Sequence, residues 1–145
     1  MGSEICIRDS PKMMQRIVEL DLSDDVVQPG FVRDEELREL FAISSVFFFP
    51  SLYEGFGLTP LEAMAAGVPV VSSGRSAMRE VLDTAAHLVD PEQYGECAAA
   101  IWEVLGNREY ANVLREKGRK RAQQFSWSRT GEKTLEAYER FARLT

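Results

Sequence analysis

The chain has 145 residues, of which 45% are hydrophobic and 28% are charged, which is typical of a globular domain and excludes a disordered chain. This length allows one domain with its own core, and we expect residues 1–145 to form a single domain. The formal net charge of −6 argues against a nucleic-acid partner. No apolar stretch approaches the ~20 residues of a membrane-spanning helix.

The amino terminus and the two cysteines indicate the cellular compartment to expect. Residues 1–4 lack the basic start and apolar centre of a secretory signal. Cys6 and Cys97 are too few for a disulfide framework, and both lie among apolar or small neighbours. This pattern favours buried free thiols in a reducing environment, so we expect a cytoplasmic protein.

The first third of the chain predicts two short strands and two helices. A strand is expected at residues 5–7 and another at Val26–Val27, which Pro29-Gly30 ends. Between them Pro11 begins a helix with one apolar stripe, formed by Met13, Met14, Ile17, Val18 and Leu20. Three acidic residues at 34–36 begin the second helix, whose apolar positions continue to Ile43.

The middle of the chain predicts a strand, a glycine-bearing loop and a helix. The apolar run Val46–Phe49 is typical of a parallel strand buried on both faces. After the loop, Thr59 is the expected N-cap and Pro60 fits the first helical turn. This helix should end at Ala66, because Gly67 is a natural C-terminal stop.

The rest of the chain predicts two more strands followed by helices. Strands are expected at residues 68–72 and 87–89, with a short helix from Met78 to Leu82 between them. From about residue 92 only helices follow, at 92–105, 108–124 and 127–143. Leu135, Tyr138 and Phe141 should form a core-facing stripe on the last helix. Strand-helix alternation up to about residue 90 predicts an α/β fold with a doubly wound parallel sheet and a helical C-terminal third.

Two loops are expected at the carboxyl ends of strands, where open parallel sheets bind their ligands. They cover residues 50–59 and 72–77, and both contain Gly and Ser, which allow a ligand to approach the backbone. The first loop leads into a helix, so backbone N–H groups and the helix dipole favour a phosphate there. On the loop alone, a tight turn at Gly55 and Gly57 explains the pattern equally well, because a lone Gly-x-Gly is weak.

A longer motif surrounds the first loop. Glu54 and Glu62 enclose seven residues, Gly-Phe-Gly-Leu follows the first Glu directly, and Ala63–Val71 continues the pattern. This stretch resembles the E-x7-E signature of retaining glycosyltransferases with the two-Rossmann-domain (GT-B) architecture, in the family 4 type (glycosyl transferases group 1). The resemblance covers roughly residues 26–138 and corresponds to the later part of the C-terminal, donor-binding domain. It therefore implies a truncated Rossmann-like sheet.

The resemblance also implies roles for individual residues. Amide groups of Gly57 and Leu58 would hold the diphosphate of a nucleotide sugar, Glu54 would act at the donor sugar as the catalytic residue, and Glu62 would accept hydrogen bonds from the ribose. The other residues implied to bind the donor are Gly55, Phe56, Ser51 and Val32, the last in a segment whose main chain brackets the nucleobase. The donor would be a UDP-, GDP- or ADP-sugar, and no cofactor is implied.

Several of these residues have a simpler structural explanation. Glu62 could complete a capping box with Thr59, and Glu54 could be a solvated loop acid. Residues 28–32 could form only a strand-to-loop turn.

Other polar residues are weaker candidates. Ser72 and Ser73 could reach the ligand or be ordinary loop serines, and Arg33 and Arg75 are the nearest cations in the sequence. His87 lacks a Ser or Cys partner pattern for a catalytic triad. The sequence contains no Asp-x-Asp and no Cys/His cluster, which disfavours a catalytic metal.

Two parts of such an enzyme have no counterpart in this sequence: the acceptor-binding N-terminal domain, and the start of the donor-binding domain with its Arg and Lys. We therefore expect a donor-binding fragment of a metal-independent hexosyltransferase that is inactive alone. The alternative is a nucleotide-sugar-binding or interaction half-domain that complements another chain. A different enzyme on this architecture, such as a sugar-nucleotide epimerase, is disfavoured by Gly-Phe-Gly-Leu within the motif.

Overall fold

The protein is described here from a computed structural model that covers residues 11–142, so the strand predicted at residues 5–7 lies outside the described part. Contacts divide the chain into two compact units, Met1–Leu37 and Arg38–Thr145. Helix α1 (Pro11–Glu19) belongs to the first unit, and helix α2 (Asp34–Ile43) begins in it. Both helices form where the sequence predicts them.

The strand predicted at Val26–Val27 is wrong. The structure has a loop there, and the Val27 side chain is 84% exposed. Two β-branched residues favour an extended backbone, but a strand also needs a neighbour to pair with. No strand among the described residues pairs with this segment.

The second unit is built on a parallel sheet of three strands: β1 (Phe47–Phe49), β2 (Val70–Ser73) and β3 (His87–Val89). Their order within the described residues is β1-β2-β3, with Phe48 opposite Val71 and Ser72 opposite Leu88. Helix α3 (Leu58–Ala66) connects the first two strands. Helix α4 (Ala77–Leu82) and a 3-10 turn (Asp83–Ala85) connect the second and third. This is the predicted α/β class with a truncated Rossmann-like sheet.

Strand β2 begins later than predicted because the chain is still completing α3 at Val68. The Gly67 N–H donates to the Met64 carbonyl at 3.0 Å, and the Val68 N–H donates to the Ala63 carbonyl at 2.9 Å. Gly67 has φ +82°, the left-handed conformation that ends helices. The predicted helix end at Gly67 is therefore confirmed. The hydrogen bonds that close the helix include the N–H of Val68, the residue that was expected to begin the strand.

Strand β1 was predicted to be buried on both faces, and that prediction is wrong. All three of its phenylalanines are only partly buried, whereas every residue of β2 is buried. Strand β1 lies at the edge of the described sheet, with β2 as its only partner there. Phe47 packs edge-on against Phe41 of α2 and stacks on Phe49, which shields part of this apolar surface.

The helical part consists of α5 (Tyr94–Gly106), α6 (Arg108–Ala122) and α7 (Trp127–Ala142). Buried residues of α5 and α6 form a core with β2 and β3, made of Val71, Val89, Cys97, Ala100, Val104, Ala111 and Leu114. Burial raises the pKa of the Cys97 thiol, which keeps it neutral. The prediction of a buried free thiol is confirmed for Cys97, and Cys6 lies outside the described residues.

Helices α3 and α6 pack closely because Gly118 has no side chain. A Cβ atom at Gly118 would lie 3.1 Å from Cγ of Met64, closer than ordinary van der Waals contact. Met64 is fully buried in this contact. Complete burial of a side chain of this size stabilises a fold by about 1.5–3 kcal/mol. Helix α6 thus supports α3, which carries Glu62 and the second half of the E-x7-E motif.

Helix α7 does not bury the stripe that the sequence assigned to the core. Leu135, Tyr138 and Phe141 are 59–70% exposed, and α7 has no buried residue in the described part of the chain. Amphipathic spacing identifies which side of a helix is apolar, but it does not supply the surface that covers it.

Candidate functional site

The loop after β1 enters α3 through a left-handed glycine. Gly57 has φ +98° and ψ +58° and is the N-cap residue, and no side chain caps this helix end. Gly57 is buried against Met78, whereas Gly55, Phe56 and Leu58 are exposed. An uncapped helix N-terminus presents backbone N–H groups and the positive end of the helix dipole. The exposed side of this turn therefore has the electrostatic character that suits an anion.

The predicted capping box at Thr59 and Glu62 is wrong. Helix α3 begins at Leu58, so Thr59 and Pro60 lie inside its first turn and Glu62 lies beyond it. Pro60 is tolerated there, as predicted, because the first turn does not use its missing N–H. The Glu62 side chain is exposed, and its carboxylate has no hydrogen-bond partner among residues 11–142. Its carboxylate is therefore available to a ligand.

Glu54 is held by its own loop. The Ser51 hydroxyl lies 2.9 Å from Oε1 of Glu54 and 3.2 Å from the Tyr53 carbonyl oxygen, so it can donate to either. Glu54 is partly buried and Ser51 is too. Glu54 is therefore a partly buried acid with a hydrogen-bond partner in its own loop.

The loops after β1 and β2 meet through Ser76. The Glu54 N–H donates to Oγ of Ser76 at 2.9 Å, and the same hydroxyl donates to the Glu54 carbonyl at 3.2 Å. Strands β1 and β2 are parallel, so their carboxyl ends lie at the same edge of the sheet. The sequence predicted loops at this edge, but it did not indicate Ser76.

An apolar groove runs along the exposed side of α3. It has a volume of about 520 Å³ and joins three residues of the predicted site, Phe56, Leu58 and Glu62, to the start of α7. Leu58 and Glu62 are four residues apart on α3, so they share one face of the helix. Trp127 and Phe125 contribute aromatic surface from the other side. The groove combines apolar walls with one carboxylate, the composition typical of small-molecule sites.

A chain of contacts supports Phe56 from behind. Its ring packs edge-on against Phe125 with centroids 5.7 Å apart, and the Arg121 guanidinium lies 5.0 Å from the Phe125 centroid. Arg121 also donates from Nε to the Val81 carbonyl at 2.9 Å and to the Glu80 carbonyl at 2.6 Å. It therefore fixes the end of α4 to the end of α6. The sequence contains no local signal for this link, because its members are about 40 residues apart.

The serines of β2 are not ligand-binding loop residues. Ser72 and Ser73 are fully buried within the strand. The Ser72 hydroxyl donates to the Phe49 carbonyl at 3.2 Å, and the Ser73 hydroxyl accepts the Arg75 N–H at 3.1 Å. The prediction that they could reach the ligand, or lie in a surface loop, is therefore wrong.

Each of the two nearest cations is paired with acids. Arg75 contacts Asp90 at 2.8 Å and Glu92 at 2.6 Å, and Arg33 contacts Glu36 at 2.9 Å. The hydrogen bond to Glu92 is the main reason that the pKa of Arg75 is raised. Two carboxylates more than offset the charge of Arg75 at this edge, so it is poorly suited to neutralise a diphosphate.

The remaining sequence candidates lie elsewhere. His87 is in β3, where its Nδ1 lies 3.0 Å from the Tyr110 hydroxyl, a structural contact without a nucleophile. Val32 belongs to the first unit and is partly buried.

Two kinds of feature are absent from residues 11–142. None of the helices there has the length and apolar composition that spanning a membrane requires. No group of three or more His, Cys, Asp or Glu side chains there is arranged to hold a metal ion.

The family model described as glycosyl transferases group 1 matches residues 9–121. The chain therefore belongs to this family of glycosyltransferases. It is 39% identical over 109 residues to O-antigen chain mannosyltransferase B of Escherichia coli, which covers 75% of this chain and 29% of that protein. It is also 39% identical over 128 residues to MMP alpha-(1->4)-mannosyltransferase of Mycolicibacterium hassiacum, which covers 86% of this chain and 31% of that protein.

A solved structure agrees with the fold. Sucrose-phosphate synthase from Thermosynechococcus elongatus superposes with a TM-score of 0.83 at 28% identity, over 92% of this chain and 34% of that chain. The chain thus spans about a third of the length of the relatives it matches.

Proposed function

We propose that this chain binds the nucleotide-diphosphate sugar donor of a retaining, metal-independent hexosyltransferase, and that it does not catalyse transfer alone. The observation that carries the proposal is the uncapped start of α3 between two glutamates at the carboxyl end of β1. Backbone N–H groups there can meet a departing diphosphate, for which electrostatic stabilisation is the main requirement.

Each residue of the motif has a distinct task in this proposal. The amides of Gly57 and Leu58 receive the diphosphate, and Gly55 keeps the approach to them open. The carboxylate of Glu62 accepts hydrogen bonds from the ribose, and Leu58 and Phe56 provide apolar surface beside it. Glu54, oriented by Ser51, stabilises the positive charge that develops on the sugar as the diphosphate leaves.

The role of Val32 at the nucleobase stays a prediction from the family resemblance, because Val32 lies in the first unit. The nature of the sugar is part of the proposal. The names of the two relatives above describe mannosyl transfer, so a mannose donor is one to test first. The missing acceptor-binding part would come from a longer chain or from a partner.

A titration tests donor binding. We expect the chain to bind at least one of UDP, GDP and ADP, with an affinity that EDTA does not change, as measured by calorimetry. Glu62→Gln should weaken that binding about tenfold or more, because hydrogen bonds to a charged acceptor contribute ~1.5–3 kcal/mol.

The matched control is Glu116→Gln, which alters an exposed glutamate on α6 away from the groove. It should bind like the unchanged chain. Absence of binding to all three diphosphates at millimolar concentration would refute the proposal.

A further inference from the structure

Ser76 has an unusual backbone for a residue with a side chain. Its φ of +48° and ψ of −136° lie outside the regions that non-glycine residues normally adopt. Such a conformation costs about 1–3 kcal/mol and persists only where surrounding structure imposes it. Residues held in this way cluster at functional sites, so Ser76 calls for an explanation.

The hydroxyl of Ser76 also does not cap its own helix. Ser76 is the N-cap residue of α4, where a serine normally accepts a hydrogen bond from the first turn of its own helix. No such bond is present. The hydroxyl instead accepts the Glu54 N–H and donates to the Glu54 carbonyl, at 2.9 and 3.2 Å. One side chain thereby fixes both backbone polar groups of Glu54.

Two serines together determine the position of Glu54. Ser51, from the same loop, orients the carboxylate, and Ser76, from the next loop of the sheet edge, holds the peptide groups on either side of its Cα. Rotation of the Glu54 backbone would move the carboxylate relative to the start of α3. A fixed backbone removes that freedom before a ligand arrives, which is how a positioning residue contributes to a site.

We propose that Ser76 is a positioning residue that holds Glu54 toward the sugar of the donor. This inference rests on the proposed function. It assigns Ser76 no contact with the nucleotide. Loss of its hydroxyl should therefore weaken recognition of the sugar and leave recognition of the nucleoside diphosphate unchanged.

The test compares Kd values for UDP and UDP-glucose, GDP and GDP-mannose, and ADP and ADP-glucose, using the pair that the unchanged chain binds best. The quantity compared is the factor by which the sugar improves binding, which is the Kd of the nucleoside diphosphate divided by the Kd of the nucleotide sugar. Ser76→Ala removes the hydroxyl and keeps the strained backbone, whereas Ser76→Gly removes both. We expect both variants to lower this factor about two- to tenfold, as expected for the loss of hydrogen bonds, and to leave the diphosphate Kd unchanged.

Two control variants distinguish a loss of Glu54 positioning from a general effect of removing a hydroxyl. Glu54→Gln should lower the same factor. Ser44→Ala should not, because it removes a hydroxyl that donates to the Leu40 carbonyl at 2.6 Å, away from both loops of the site. An unchanged factor in both Ser76 variants would overturn the positioning role while leaving donor binding intact. If the unchanged chain binds no diphosphate, the proposed function fails, and the role of Ser76 fails with it.

Discussion

Gly57 is the residue on which the geometry of the motif depends most. Its φ of +98° belongs to the left-handed region, and a Cβ atom there would overlap the buried side chain of Met78. Both conditions select glycine, one through the backbone and one through packing. Gly55, two residues earlier, meets neither condition. Its φ is not positive, and a Cβ atom there would have open space around it.

We therefore expect Gly57→Ala to lower the free energy of unfolding by about 1–3 kcal/mol from backbone strain alone, with the displacement of Met78 adding to this. Gly55→Ala is the matched control and should change stability by less than about 0.5 kcal/mol. Urea unfolding of the three proteins measures the difference. Equal midpoints for the two variants would contradict the strain at Gly57.

The pairing of β3 with the helical layer includes a titratable contact. The Tyr110 hydroxyl on α6 lies 3.0 Å from Nδ1 of His87 on β3, and Glu103 on α5 lies 3.8 Å from the same nitrogen. Burial, and then the charge of Glu103, raises the pKa of Tyr110 above its usual value of 10.0. The hydroxyl is therefore kept protonated in the folded protein at pH values where it ionises in the unfolded chain.

This shift gives a pH-dependent prediction for Tyr110→Phe. Below pH ~10 the variant should be less stable by about 0.5–1.5 kcal/mol, the usual contribution of one hydrogen bond. Above pH ~10 the unfolded chain loses the tyrosine proton before the folded protein does, so the stability of the unchanged protein falls. The gap between the two proteins should therefore narrow from pH 9 to 11 in chemical unfolding experiments. A constant gap over that range would contradict the raised pKa.

Sequence patterns predicted most elements because their signals are local. Pro11, the acids at 34–36 and Gly67 mark the ends of α1, α2 and α3, and these ends are where the structure has them. The start of α3 was misplaced because Thr59 is a good cap by composition, whereas the left-handed backbone of Gly57 is visible only in the folded chain. The burial of the α7 stripe and of β1 depends on which elements pack against them. The hydrophobic periodicity of one segment gives no information about those elements.

The candidate site was predictable in part for the same reason. Glu54, Glu62 and the glycines between them lie within nine residues of sequence, so the strand-loop-helix order could be derived from the apolar run and the glycines, whereas the roles of the two glutamates came only from the family resemblance. Ser76 and Arg121 were missed because each acts across more than 20 residues of chain. Ser72 and Ser73 were misjudged because two small polar residues at a strand end look the same whether they face solvent or the adjacent strand.

The chain spans about a third of the length of the relatives it matches, and this bears on the activity that we expect of it in isolation. Transfer requires an acceptor held against the donor in a site from which water is excluded. The described residues provide a groove and a sheet edge, and most of the α7 surface is exposed. We therefore expect these residues to bind a donor without controlling its reaction.

We expect the isolated chain to release no nucleoside diphosphate from UDP-glucose, GDP-mannose or ADP-glucose above the background rate, with or without a sugar acceptor. A coupled assay for the released diphosphate measures this. Glu54→Gln, prepared in the same way, is the control for contaminating enzymes. Turnover by the unchanged chain that Glu54→Gln abolishes would refute the claim of inactivity.

The close approach of α6 to α3 limits how far this protein could be shortened. A piece ending before Arg108 would retain every residue from Ser51 to Ser76, yet it would leave Met64 without Gly118 and its neighbours on α6. A short peptide that contains only the motif would therefore not keep this packing when it is grafted onto another protein. Its smallest transplantable form must also carry α6, a helix that follows the motif by more than 40 residues of chain.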